Sequence, residues 1–152
     1  MRLAIKNARI VTADEVIKGG VCLCEDGKII YVGKGEAPAD KVLDAKGCYL
    51  VPGFVDLHCH GGNCLEFMDA DAKGFSDIAS FHLSHGTTTM LATTLAANDE
   101  ETIHALDTFK EYRAINPCGT LLGAASLGKA YFVFITVTHI DSNVIFTVLI
   151  VK

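Results

Sequence analysis

The spacing of apolar residues divides the chain near residue 52. Upstream, short apolar runs alternate with polar positions at strand spacing: Leu3-Ala4-Ile5, Ala8-Arg9-Ile10-Val11, Val21-Cys22-Leu23-Cys24 and Ile29-Ile30-Tyr31-Val32-Gly33. Asp26-Gly27 lies between two such runs and predicts a hairpin turn. Gly33, Gly35 and Pro38 mark a loop. Val42-Leu43-Asp44 and Cys48-Tyr49-Leu50-Val51 predict two more strands around Ala45-Lys46-Gly47. Nothing in this stretch suggests chemistry.

From residue 52 the pattern becomes strand, helix, strand, helix, strand. That alternation predicts a parallel sheet with right-handed crossovers. The first helix is expected over residues 72–85, with Phe75, Ile78, Ala79 and Leu83 on one face. Asp69 or Asp71 can cap it, and Gly86 suits the position after its end. Thr87 to Thr94 reads as the second strand. The next helix opens at Asn98, with Asp99, Glu100 and Glu101 near the positive end of its dipole. Ile103, Leu106, Phe109 and Tyr112 supply its stripe, Asn116-Pro117 stops it, and Thr120 to Ala124 is the third strand. Residues Ala130 to Val151 are nearly all β-branched or aromatic. Their length would suit a membrane span, but His139, Asp141 and Asn143 at the centre make that costly. A hairpin, Tyr131 to Ile140 against Val144 to Val151, fits better. Exposed on an unfinished sheet, it would be an aggregation hazard.

Composition narrows the class. A chain of 152 residues can bury a real core. With 50% apolar and 20% charged residues it is not disordered. The net charge of −5, with no Lys/Arg block, gives no basis for nucleic acid or an anionic membrane as partner. The six cysteines are Cys22, Cys24, Cys48, Cys59, Cys64 and Cys118. The N-terminus lacks the apolar region of a signal peptide, and Cys22-x-Cys24 is not a Cys-x-x-Cys motif. Reduced thiols in a cytoplasmic protein are therefore expected.

Chemistry concentrates in Pro52-Gly53-Phe54-Val55-Asp56-Leu57-His58-Cys59-His60-Gly61-Gly62. This reads as a buried strand ending in polar groups. Alternation puts Asp56, His58 and His60 on one face. Two imidazoles at i and i+2 can bite one metal ion, and neutral imidazole suits Zn, Fe, Ni and Cu. The bland alternative is a pair of surface histidines at a strand end. Gly61 and Gly62 let the backbone turn tightly nearby. Asp56 either orients a histidine or bonds to backbone at the strand's base. Cys59 is turned away from the histidines. Cys64 is nearer, a candidate ligand against the commoner packed thiol. His85, beside Gly86, suits the end of a helix dipole better than a metal. His82 and His104 fall on the helices as surface or packing residues.

The run from Pro52 to His60 resembles the first-strand signature of the amidohydrolase superfamily. His60-Gly61-Gly62-Asn63, Glu66-Phe67-Met68-Asp69, His85-Gly86-Thr87-Thr88-Thr89 and Ala92-Thr93-Thr94 narrow the resemblance to the N-acetylglucosamine-6-phosphate deacetylase family, over roughly residues 1 to 123. The resemblance implies an α/β fold in three parts. Residues 1–51 would be part of a small β-sandwich, 52–124 the first βαβαβ units of a (β/α)8 barrel, and 125–152 a non-matching apolar tail. It implies metal-dependent removal of the N-acetyl group of a small amino-sugar phosphate. His58 and His60 would be ligands of a divalent ion, zinc or iron, with Asp56 a supporting candidate. No substrate-binding residue is assigned.

The resemblance fails past the third strand. There the family continues into His-Leu-Glu-Gly-Pro, whose Glu ligates metal, whereas this chain reads Gly123-Ala124-Ala125-Ser126-Leu127-Gly128 and has no Glu after Glu111. The family's catalytic Asp lies on its last barrel strand, and a whole barrel needs about 250 residues. The chain is thus expected to be incomplete: truncated, frameshifted or a fragment. Other amidohydrolase activities, dihydroorotase- or dipeptidase-like, remain alternatives within the enzyme class. Outside it stands a non-catalytic, self-associating homo-oligomer. If a frameshift is responsible, the nucleotide sequence after codon 123 should encode His-Leu-Glu-Gly-Pro in another frame.

Overall fold

The computed structural model describes residues 1–116, 121–125 and 148–151. They fall into two compact units, Met1–Gly53 with the strand Val148–Val151, and the segment from Phe54 onward. Among the described residues no helix is long and apolar enough to cross a membrane.

The first unit is a six-stranded sheet. Strands β1 (Arg2–Val11), β2 (Val16–Glu25) and β3 (Lys28–Gly33) form an antiparallel meander. The expected turn at Asp26-Gly27 has φ of 49° and 80°, the left-handed pair that a tight two-residue hairpin needs. The two apolar runs at the N-terminus are one strand interrupted by a bulge. Asn7 takes φ 58° there, and Gly19 takes φ 64° opposite it in β2. Strands β4 (Lys41–Asp44) and β5 (Tyr49–Pro52) both run parallel to β1, on the edge away from β2. The tight turn between them sits beside the β1 bulge: the Gly47 N–H donates to the Asn7 carbonyl, and Asn7 Nδ2 donates to Asp44 Oδ1.

Side chains are buried on both faces of this sheet. Ile5, Ala8, Ile10, Cys22, Ala45 and Leu50 form one cluster; Ala4, Val21, Leu23 and Ala37 form the other. Burial, then the neighbouring Cys24, pushes the Cys22 thiol up to about 12, so it packs as a small protonated apolar group. Of the expected C-terminal hairpin only Val148–Val151 lies within the described residues. It pairs antiparallel with β5, from Val148↔Pro52 to Val151↔Tyr49.

The second unit has the predicted alternation. Strand β6 (Phe54–Cys59) leads into the two-residue strands β7 (Gly61–Gly62) and β8 (Leu65–Glu66). Helix α1 (Ala72–Ser84), strand β9 (Thr87–Thr93), helix α2 (Asp99–Ile115) and strand β10 (Leu121–Ala125) follow. The sheet order is β10-β9-β6, all parallel. Asp71 caps α1 by accepting the Gly74 N–H at 2.8 Å, and Gly86 follows its end with φ 97°. Asn98 caps α2 through the Glu101 N–H at 2.9 Å. The core joins Phe67, Phe75, Ile78, Met90, Phe109 and Tyr112. Phe75 sits centrally, its ring 4.8 Å from Phe67, 6.5 Å from Phe109 and 6.1 Å from Tyr112.

The structure departs from the sequence reading at three places. The buried face of α2 is Ala105, Thr108, Phe109 and Tyr112. At roughly 100° per residue Ile103 stands opposite Tyr112, and it is exposed. Leu83 in α1 is likewise exposed, because Phe75, Ile78 and Ala79 already fill the contact with the core. Strand β6 is not a buried strand: Phe54, Val55 and Leu57 are 54%, 61% and 67% exposed. Among the described strands β6 has only β9 beside it, and only Cys59 reaches the helix-covered core.

The β7–β8 turn is strained. Asn63 and Cys64 take φ of 54° and 62°, which Asn tolerates and Cys does not. Cys64→Gly should therefore raise the thermal midpoint by about 2–4 °C, corresponding to about 1 kcal/mol. Calorimetry of the two proteins checks this.

Candidate metal centre

The candidate site lies where β6 leaves the sheet. Residues i and i+2 of a strand point the same way, which puts His58 and His60 on one side; the pairing of β6 with β9 shifts register between Asp56 and Cys59, so Asp56 is not tied to that side. His58 and His60 accordingly meet: their Nε2 atoms are 3.0 Å apart, with the rings edge-on at 82°. His58 is exposed and His60 half-buried.

Backbone chemistry fixes the His60 tautomer. Its Nδ1 lies 2.9 Å from the Thr93 carbonyl oxygen. A carbonyl only accepts, so Nδ1 carries the proton and Nε2 keeps its lone pair. In the ion-free pair, His58 Nε2–H then donates to that lone pair. The same residue holds the strand end by a second bond, in which the Cys59 N–H donates to Thr93 Oγ1 at 3.3 Å. Thr93 is buried. The row of threonines in the sequence did not reveal which one plays this part. The parallel register, with Cys59 opposite Ala92, is what selects Thr93.

Asp56 is bonded to backbone: its Oδ1 accepts the His58 N–H at 3.0 Å. Cys59 faces away from the imidazoles, as expected, with its thiol donating to the Gly61 carbonyl at 3.1 Å. Burial, with the Asp56 carboxylate adding to it, pushes that thiol up, so it remains protonated. Cys64 is exposed on the strained turn, and His85 Nδ1 donates to the Phe81 carbonyl at 2.8 Å. Its helical position predicts a surface or packing role for His82. The structure places its Nε2 2.9 Å from the Gly61 carbonyl and 3.4 Å from Cys59 Sγ.

The two histidines suit an imidazole-binding divalent ion. A tetrahedral zinc with Zn–N of about 2.0–2.1 Å separates two ligating nitrogens by about 3.3 Å. The Nε2 pair is within a few tenths of an ångström of that spacing, and a backbone carbonyl orients one ring as metal-binding histidines require. Among the described residues no group of three or more His, Cys, Asp or Glu side chains converges on one point.

No family model matches the chain. It is 37% identical over 136 residues to N-acetylglucosamine-6-phosphate deacetylase of Bacillus subtilis, a match covering 83% of this chain and 32% of that protein. A solved N-acetylglucosamine-6-phosphate deacetylase from Pasteurella multocida superposes with a TM-score of 0.68 at 28% identity, covering 75% of this chain and 31% of that one. The chain resembles part of N-acetylglucosamine-6-phosphate deacetylase. It spans about a third of the length of these relatives. The wider likeness includes a D-hydantoinase from Ralstonia pickettii, 35% identical over 91 residues, or 60% of this chain and 20% of that enzyme. Alongside the deacetylase likeness, the mixed α/β character of the chain is plain, with parallel strands joined through helices in its second unit.

Thr93 separates two roles that a mutation can test. Thr93→Val keeps the carbonyl that orients His60 but leaves the buried Cys59 N–H without its acceptor. It should cost about 1–3 kcal/mol in urea unfolding. The His60 tautomer, read from imidazole nitrogen shifts, should stay as in the parent chain.

Proposed function

We propose that the chain is a portion of a metal-dependent amidohydrolase that converts N-acetylglucosamine 6-phosphate to glucosamine 6-phosphate and acetate. In this reading residues 52–124 begin a (β/α)8 barrel, residues 1–51 contribute to a β-sandwich, and residues 125–152 are an apolar tail. His58 and His60 hold a divalent ion, zinc or iron. The observation that carries the reading is the convergence of their Nε2 atoms at 3.0 Å, with the Thr93 carbonyl fixing the His60 ring. The similarity to deacetylases over most of this chain supports the choice of substrate.

The chemistry is demanding because an amide is a poor electrophile and an amine a poor leaving group. A bound divalent ion supplies a Lewis acid that polarises the carbonyl and acidifies water. The chain's own share is binding and orientation. Thr93 presents the His60 lone pair, and Asp56 fixes the backbone on which His58 stands. A carboxylate must also move the proton from water to the departing nitrogen. Asp56 is poorly placed for that, since one of its oxygens already accepts the His58 N–H.

Two outcomes test the reading. A chimera in which residues 1–123 replace the matching third of the Bacillus subtilis deacetylase should release acetate from N-acetylglucosamine 6-phosphate. His58→Ala with His60→Ala should abolish this. A chimera that turns over only dihydroorotate or a hydantoin would move the chain elsewhere in the superfamily. The 152-residue chain assayed by itself should release no acetate with zinc or iron added, because two imidazoles give fewer than the usual three protein ligands of a catalytic zinc.

A second reading has its own observation. Phe54, Val55 and Leu57 are exposed on β6, which is an edge strand among the described residues, and this favours a non-catalytic chain that self-associates. Light scattering at increasing protein concentration separates the two, since a stable monomer would count against association.

A further inference from the structure

We propose that His82 is a positioning residue for the His58–His60 pair, holding the backbone carbonyl of Gly61 and so the direction in which the chain leaves His60. Its bearing on metal rests on the reading of His58 and His60 as ligands.

Three independent contacts meet at this point. His82 Nε2–H donates to the Gly61 carbonyl at 2.9 Å. The Cys59 thiol donates to the same oxygen at 3.1 Å. The imidazole also lies directly on Gly62: a Cβ built there would come 2.6 Å from His82 Nε2 and 3.1 Å from the Phe81 ring. Gly62 is thus glycine because the His82 imidazole occupies the space of a side chain. Phe81 stands edge-on to His82 at 5.4 Å and fixes the ring's plane.

The consequence for His60 is geometric. Its ring is held at one end by the Thr93 carbonyl, through Nδ1. Its backbone carbonyl accepts the Phe67 N–H at 2.9 Å. The next peptide's carbonyl, on Gly61, is clamped by two donors, one from β6 and one from α1. Without the α1 donor the Gly61 carbonyl keeps only the weaker thiol bond, so the turn that follows His60 is held less firmly. The His60 ring, still bonded to Thr93, then stands on a looser backbone, and the approach of its Nε2 to His58 is less well defined. Orientation of this kind commonly changes metal affinity by about 10–100-fold. His82 lies 21 residues from Gly61 and on a helix, so no spacing rule in the sequence connects them.

Two variants separate positioning from mere stability. His82→Gln keeps an N–H donor at similar reach, whereas His82→Ala removes it. In the ion-free protein, proton–nitrogen NMR should show a slowly exchanging His60 Nδ1–H in the parent chain and in His82→Gln. It should be lost or broadened in His82→Ala, even at temperatures well below that variant's unfolding midpoint. Zinc titration against a chromogenic chelator should show about tenfold weaker binding for His82→Ala and at most threefold for His82→Gln. If the His60 signal survives in His82→Ala, or if Gln behaves like Ala, the positioning role is wrong. If the NMR pattern is as expected but zinc binds equally well to the His58→Ala, His60→Ala double variant, the positioning role stands and the metal reading falls.

Discussion

Thr93 ties the end of β6 to β9 through both of its oxygens. The hydroxyl accepts the Cys59 N–H and the carbonyl accepts the His60 ring. A strand that ends at a sheet edge would otherwise fray, and its last side chains would sample many rotamers. Here the parallel neighbour supplies a backbone acceptor whose place is set by the register rather than by a mobile side chain. The pairing of His58 with His60 follows from that bond together with ordinary strand alternation. Removing either would leave two imidazoles two residues apart with no common target.

The local part of this arrangement was legible in the sequence. Alternation brings His58 and His60 to one side, whereas the register shift that separates Asp56 from them leaves no mark in the sequence. The caps at Asp71 and Asn98 could be read from short polar side chains before apolar stripes, and the Asp26-Gly27 turn from its residue types. What could not be read depends on tertiary partners. Ile103 and Ala105 are both acceptable core residues, and only the packing of α2 on Phe75 decides that Ala105, Thr108, Phe109 and Tyr112 face inward. Val55 and Leu57 look like core residues because strands of this composition usually have neighbours on both sides. His82 joins the site through space, across 21 residues, and leaves in the sequence only the trace of a glycine at position 62.

The same distinction explains how the likeness to deacetylases and the local geometry bear on each other. Likeness spread over most of this chain speaks to the fold of the shared part, and it reaches hydantoinases as well as deacetylases. The contacts around His58, His60 and Thr93 speak to chemistry, since they prepare a lone pair and aim it. Neither observation depends on the other.

The bulges in β1 and β2 have a consequence for inheritance. Pairing runs Ile5↔Cys22, then Ala8↔Gly20, then Arg9↔Lys18, so an extra residue near Asn7 in one strand is matched by an extra residue at Gly19 in the other. Each insertion inverts the in–out order of its own strand, which is why Ile5 and Ile10 share a cluster with both Cys22 and Ile17. Losing one alone would turn half of a hairpin inside out. Losing both together would restore a regular ladder, with each strand one residue shorter. Positions 7 and 19 are therefore coupled, and a deletion at one should be tolerated better together with a deletion at the other.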